Sequence, residues 1–210
     1  MSTRGIYKIG GYTLYNHHDN YPEGAALHLL GVLKNHHSLR IESVIRGMER
    51  VEIVESGGMG EEYEYRIDKK GNISMYEVDL DTDKAIFLEV FTIPEFIAKY
   101  ITKEGRQYNV LDESDNIEDY RIIQIRGRYW TITQVREMAR EQFADAVSRF
   151  KKGHWGNSSS SFSEAFKYFN ILGEGEQEKA EYLENIAPVF QTQYGHETPE
   201  HFISYTNENF

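Results

Sequence analysis

Between residues 62 and 93 the chain alternates in a way that suits an extended backbone. Glu62-Tyr63-Glu64-Tyr65-Arg66-Ile67 sets charged and apolar residues at a strict period of two, so one face is wet and the other buried. Asp68-Lys69-Lys70-Gly71-Asn72 carries hairpin-turn chemistry, and Ile73 to Leu80 returns. Asp81-Thr82-Asp83-Lys84 turns again into Ala85 to Ile93, a nearly continuous apolar run. A run without alternation predicts a strand buried on both faces, and so an antiparallel meander whose last strand is central.

Upstream, Gly5 to Ile9 and Tyr12 to Tyr15 flank Gly10-Gly11 as a predicted hairpin. The polar stretch from Asn16 to Gly24 leads into a helix over 25–37, with Ala26, Leu29, Leu30 and Leu33 at helical spacing. Ser38 is placed to cap a second helix that carries Leu39, Ile41, Val44, Ile45 and Met48, and Val51 to Val54 reads as a short strand closed by Ser56-Gly57-Gly58.

Downstream, Pro94 suits the first turn of a helix running to Ile101, 102–119 reads as a long polar loop, and Tyr120 to Ile125 as a strand turning at Arg126-Gly127-Arg128. Thr131-Ile132-Thr133-Gln134 fits a capping box opening the strongest helix, whose stripe is Val135, Met138, Ala139, Phe143, Ala146, Val147 and Phe150, with Gly153 ending it. Gly156 to Ser160 reads as a flexible connection, and Ser161-Phe162-Ser163-Glu164 as a second capping box starting an aromatic helix. A further helix is expected from about Glu176 to Gln191, with a short one at Thr198-Pro199. The pattern predicts an α+β protein. Its antiparallel sheet is centred on the meander at about 62–93, the N-terminal hairpin and helices lie beside it, and the C-terminal third is helical. The expected division is an α+β domain over 1–153 and a helical segment over 154–210, separate or packed on the same core.

Composition narrows the function classes. The 210 residues include 15 Tyr, 11 Phe and two Trp, enough apolar surface to disfavour a disordered chain. With no cysteine, disulfide scaffolds, thiol catalysis and thiolate metal sites are excluded. No apolar run approaches the roughly 20 residues of a membrane span. The opening residues lack a signal-peptide core, so a cytoplasmic location is expected.

The net charge of −11 is unevenly placed. Residues 51–120 hold seven basic and 18 acidic residues, whereas 121–153 hold eight basic and three acidic. Acidic residues can simply solvate the outside of a sheet. They can also form a surface, here Glu62, Glu64, Asp79, Asp81 and Asp83, that docks on a basic partner such as a nucleic-acid-binding protein. Arg126, Arg128, Arg136 and Arg140 form a candidate basic face. With Trp130 they have the composition of a nucleic-acid groove, but overall acidity disfavours nonspecific duplex binding, and contact with the acidic segment explains them more simply.

Candidate reactive groups are few. His17, His18 and Asp19 combine imidazoles with a carboxylate, suited to a divalent metal or to acid–base work, although no HExxH-type spacing accompanies them. Neighbouring histidines on an extended segment point apart, and the simpler reading is a loop in which Asp19 or Asn20 bonds the chain ahead of Pro22. Ser2 or Thr3 at a processed N-terminus has the form of a self-activated nucleophile. Asp79-Leu80-Asp81-Thr82-Asp83 resembles the start of a calcium loop but lacks its glycine and its bidentate glutamate, and reads as a solvated hairpin tip. No cofactor is required by any motif; a divalent metal is admitted only by the His-His-Asp segment.

Ser2-Thr3-Arg4-Gly5-Ile6-Tyr7, followed by Leu14 to Gly24, resembles a loosely defined group of uncharacterised phage and bacterial proteins. These open Thr-Arg-Gly or Thr-Arg-Ala and soon show a Tyr, a His or Trp, then Asp-Gly-Tyr-Pro; Asn20 stands here where that Gly is usual. The resemblance implies a phage or prophage source, hence the host cytoplasm, and carries no established activity. The function expected is therefore a non-enzymatic, phage-type accessory protein that works by protein contact through an acidic surface, inhibiting a host or defence factor. The alternative is a hydrolase or metal-dependent enzyme using the His17-His18-Asp19 segment.

Overall fold

The computed structural model describes residues 3–48, 50–56, 60–101 and 121–194, with backbone alone for 187–194. Ser2, the expected loop at 102–119 and the expected short helix at Thr198-Pro199 lie outside the described residues. The chain divides into two compact units, residues 1–132 and 133–210.

The first unit is built on a six-stranded sheet. Its strands are β1 (Gly5–Ile9), β2 (Tyr12–Asn16), β3 (Val51–Val54), β4 (Tyr63–Ile67), β5 (Asn72–Asp79) and β6 (Lys84–Thr92), in the order β3-β2-β1-β4-β5-β6. The α+β class and the meander hold. The sheet is mixed, however: β1 runs parallel to β4, with Gly5 opposite Tyr63 and Ile9 opposite Ile67, while the other pairs are antiparallel. The N-terminal hairpin thus lies within the sheet, not beside it. Parallel pairing needs a long crossover, and here β2, two helices and β3 supply it.

A second correction concerns β6, which is an edge strand and not central. Continuous apolarity alone does not reveal a strand's neighbours. Its register with β5 shifts between Met75 and Tyr76, where a bulge leaves Leu88 as the extra residue.

Helix α1 (Pro22–His36) starts at a proline with its fixed φ, and α2 (Ile41–Gly47) begins after Arg40 without a side-chain cap, so Ser38 lies in the connecting loop. Helix α3 (Ile93–Tyr100) has a complete capping box: Thr92 accepts from the Glu95 amide, and the Glu95 carboxylate accepts from the Thr92 amide. Together they bury Leu29, Leu33, Phe96 and Ile97 against Tyr7, Leu14, Tyr65 and Ile73 on one face of the sheet. A two-stranded sheet, β7 (Ile122–Ile125) with β8 (Arg128–Thr131), adds Ile122 and Tyr129 to this core.

In the second unit α4 (Ile132–Lys151), α5 (Trp155–Leu172) and α6 (Gly175–Tyr194) share an aromatic core. Phe162 stacks on Tyr182 at 4.0 Å, and Ala146, Phe150 and Ile186 complete the cluster. The expected boundary at 153 falls inside this unit, because α4 buries Ala146 and Phe150 with residues of α5 and α6. The expected flexible connection at 156–160 is instead the first part of α5. Ser158 is buried there, its hydroxyl donating to the Ala146 carbonyl at 2.7 Å and lying 2.6 Å from the Tyr182 hydroxyl. Small side chains whose polar atoms find partners suit a close helix crossing as well as they suit a linker.

Candidate functional site

The His-His-Asp segment sits where β2 passes into α1. Its anchor is Asn20, which is fully buried. The Asn20 amide nitrogen donates to the carbonyls of Thr3, Asn16 and His18 at 3.1, 3.0 and 2.7 Å, and its side-chain oxygen accepts from the Tyr7 hydroxyl at 3.0 Å. Tyr65 donates to the Asn20 main-chain carbonyl at 2.7 Å and stacks on Tyr7 with ring centres 5.2 Å apart. A Cβ at Gly5 would stand 2.5 Å from the Asn20 Cβ, so Gly5 leaves the space this loop occupies. Burial drives the phenol pKa values of Tyr7 and Tyr65 well above their ordinary value, and both hydroxyls stay donors. The opening motif is thus a joint that ties the strand β1, the loop and β4 together.

Around this anchor His17 and Asp19 point to solvent. The Tyr15 hydroxyl lies 2.9 Å from His17 Nδ1, the rings of His17 and His18 meet edge to face at 4.8 Å, and Arg50 contacts His18 Nε2. Asp19 adopts a left-handed backbone with φ of 51°, as Asp tolerates in turns. Among the described residues no group of three or more His, Asp or Glu side chains is placed to hold a metal ion. Among the described residues the segment brings two imidazoles together without a carboxylate that completes a ligand set.

The acidic candidates divide. Glu64 is buried on the sheet face opposite the helices, paired with Lys8 at 3.0 Å and with Arg66, which holds the Arg66 pKa up. Arg66 in turn lies 4.1 Å over the Tyr76 ring, and Tyr76 meets Phe87 edge to face at 5.6 Å. Glu64 is therefore a neutralised member of a cross-sheet stripe, not a docking charge. Glu62 is half-buried, and its carbonyl accepts from Val78. Asp79, Asp81 and Asp83 cluster at the β5–β6 hairpin tip, with Asp81 and Asp83 exposed. Asp79 is held below the usual carboxylate range by hydrogen bonds from the Thr82 side chain and the Asp81 amide, and so remains charged.

Beside this tip the edge strand exposes what the sequence pattern suggested would be core: Ile86 is 52% exposed, Phe87 55%, Leu88 43% and Val90 55%, with Leu80 at 58% in the turn. Phe87 pairs with Tyr76 and Ile86 with Glu77, so over residues 86–90 β6 exposes side chains on both faces. No helix among the described residues is long and apolar enough to cross a membrane.

Comparison of the chain with protein-family models, with curated proteins and with solved structures finds no match.

The basic candidates belong to different units. Arg126 and Arg128 border the β7–β8 turn of the first unit; Arg136 and Arg140 belong to α4 in the second, where Arg136 pairs with Glu174 at 3.3 Å. The residues sequence reasoning missed are Ile86, Phe87, Leu88 and Val90. Their exposure carries no local signal, because it depends on which strands neighbour β6.

Proposed function

We propose that this protein acts by protein–protein contact, as a phage-type accessory protein that occupies and inhibits a host or defence factor, and that β6 with its acidic tip is the contact surface. The observation that supports this is the open apolar edge formed by Ile86, Phe87, Leu88 and Val90 next to Asp79, Asp81 and Asp83. An edge strand presents unpaired main-chain donors and acceptors, and an extended segment of a partner can add to it as a further strand. Lys84, Glu89 and the bulge limit indiscriminate pairing without covering the apolar side chains. The carboxylates at the tip favour a partner segment carrying Lys or Arg beside alternating apolar residues. The phage-type source rests on the resemblance of the opening residues.

Selection of linear peptides from a displayed library on the full chain tests this. Enriched peptides are expected to alternate Val, Ile or Phe with polar positions and to carry Lys or Arg. Binding should be lost in Phe87→Asp/Val90→Asp and weakened about tenfold in Asp81→Lys/Asp83→Lys. No enrichment, or binding indifferent to Phe87→Asp/Val90→Asp, rejects the proposal.

A further inference from the structure

At the opposite end of the same sheet the first unit holds a cleft of about 360 Å³, within the size range of small-molecule sites. Three turns and one loop from separate parts of the chain converge on it: Gly10 between β1 and β2, Ser38 to Arg40 between α1 and α2, Asp68 to Gly71 between β4 and β5, and Gly127 between β7 and β8. Ile9, Leu39, Ile67 and Ile93 give it an apolar floor.

The rim is cationic. Arg40, Lys69 and Lys70 line the cleft, and among the described residues they form no ion pair. The one carboxylate in the lining, Asp68, is used inside its own turn. It accepts from the Lys70 amide at 2.8 Å, the Asn72 amide at 2.9 Å and the Asn72 side chain at 2.8 Å, which is why its pKa is lowered. Its charge is thereby spread over three donors, while the two lysines that follow it keep theirs for another partner.

Main-chain hydrogen bonds hold the segments to one another. Ile93 donates to Gly71 at 3.1 Å, Tyr129 donates to His37 at 3.0 Å, and His37 Nδ1 lies 3.2 Å from the Tyr129 carbonyl. The Tyr129 hydroxyl occupies the space beside Gly71 where a Cβ would stand, 2.3 Å away. That close approach, together with a φ of 85°, requires glycine at this wall of the cleft.

From this juxtaposition, a concave apolar floor rimmed by Arg40, Lys69 and Lys70, we infer a binding site for a small phosphate-bearing ligand with an apolar or planar body, of the nucleoside diphosphate class. Guanidinium and ammonium groups recognise phosphate oxygens, and the aliphatic floor takes the body that inorganic phosphate lacks. The cleft lies at the strand ends away from the acidic tip of the β5–β6 hairpin, and the inference does not rest on what binds at that tip.

Isothermal titration of the full chain with ADP, inorganic pyrophosphate and a single-stranded oligonucleotide, at low and at physiological salt, tests the inference. ADP is expected to bind saturably, more tightly than pyrophosphate and with one site per chain. Lys69→Gln/Lys70→Gln should weaken ADP by about a hundredfold and Arg40→Gln by about tenfold, as loss of one charge-assisted contact each implies. Leu80→Ser, in the β5–β6 turn at the far end of these strands, should leave ADP binding unchanged. Absence of saturable ADP binding by the folded wild-type chain, ADP affinity unaffected by Lys69→Gln/Lys70→Gln, or tighter binding of the oligonucleotide than of ADP would each overturn it.

Discussion

Tyr7 donates its hydroxyl to the side-chain oxygen of Asn20 at 3.0 Å, joining a core strand to the loop that carries the two histidines. Because Asn20 also serves three main-chain carbonyls, a single side chain satisfies most of the buried polar groups at this joint. Asn20→Ala removes the acceptor of the Tyr7 hydroxyl and the side-chain donor to the Asn16 and His18 carbonyls, while Thr3 keeps the residue-20 main-chain N–H, and a loss of about 3 kcal/mol is expected in urea unfolding. Asn20→Asp presents a carboxylate to the same carbonyls, so its folded pKa is raised above the unfolded one. The variant should therefore regain stability as pH falls through that raised value, and a pH-independent deficit would contradict this account of the joint.

Position on β6 separates two phenylalanines of one strand. Phe91 is buried against Phe96 with ring centres 5.7 Å apart, whereas Phe87 is more than half exposed. Phe91→Ala should cost about 3 kcal/mol and Phe87→Ser less than about 1 kcal/mol by chemical denaturation. Comparable losses at both positions would place β6 inside the sheet and remove the docking surface.

In the second unit the Tyr182 hydroxyl and Ser158 share a buried hydrogen bond of 2.6 Å. Burial raises the Tyr182 pKa to about 12, with the Ser158 contact partly offsetting it. A raised phenol pKa contributes stability that is complete below the unfolded value near 10 and is lost as pH rises through the folded one. Absorbance titration should show a late-ionising tyrosine at this value that disappears in Tyr182→Phe. That variant should also lose about 1 kcal/mol, since the Ser158 hydroxyl keeps its Ala146 acceptor.

On the acid side, the carboxylates of Asp68, Asp79, Glu95 and Asp145 all have lowered pKa values, each through hydrogen bonds to the charged form. Their contribution is present above the unfolded carboxylate range and is lost as pH falls through the depressed folded values, so acid unfolding should set in below about pH 4. Removing the α3 cap with Thr92→Ala should cost about 1 kcal/mol at pH 7 and progressively less as pH falls through the lowered Glu95 pKa. Thermal melts of both chains across an acid pH series decide it.

Gly71→Ala meets both a positive φ and the Tyr129 hydroxyl. It should destabilise the first unit by about 2 kcal/mol, and Tyr129→Phe should not restore the loss in full because the backbone strain remains. Full restoration in the double variant would show that the steric contact alone requires glycine here.

Local periodicity determined the strands of the meander, the glycine-turned hairpin at Gly10, the proline start of α3 and most helix stripes, because side-chain spacing and turn chemistry act over a few residues. The same locality let Asp19 or Asn20 be expected to bond the loop chain, and the structure assigns that role to Asn20. The tertiary structure alone decided three matters. Parallel pairing of β1 with β4 is a long-range event that no alternation encodes. The edge position of β6 turned a run that reads as core into exposed surface, since burial depends on neighbours and not on composition. Glu64 and Asp81 are indistinguishable in the sequence, yet Lys8 and Arg66 neutralise one across the sheet while a turn presents the other to solvent. Charge type is written in the chain; whether a charge is available is settled by what the fold places beside it.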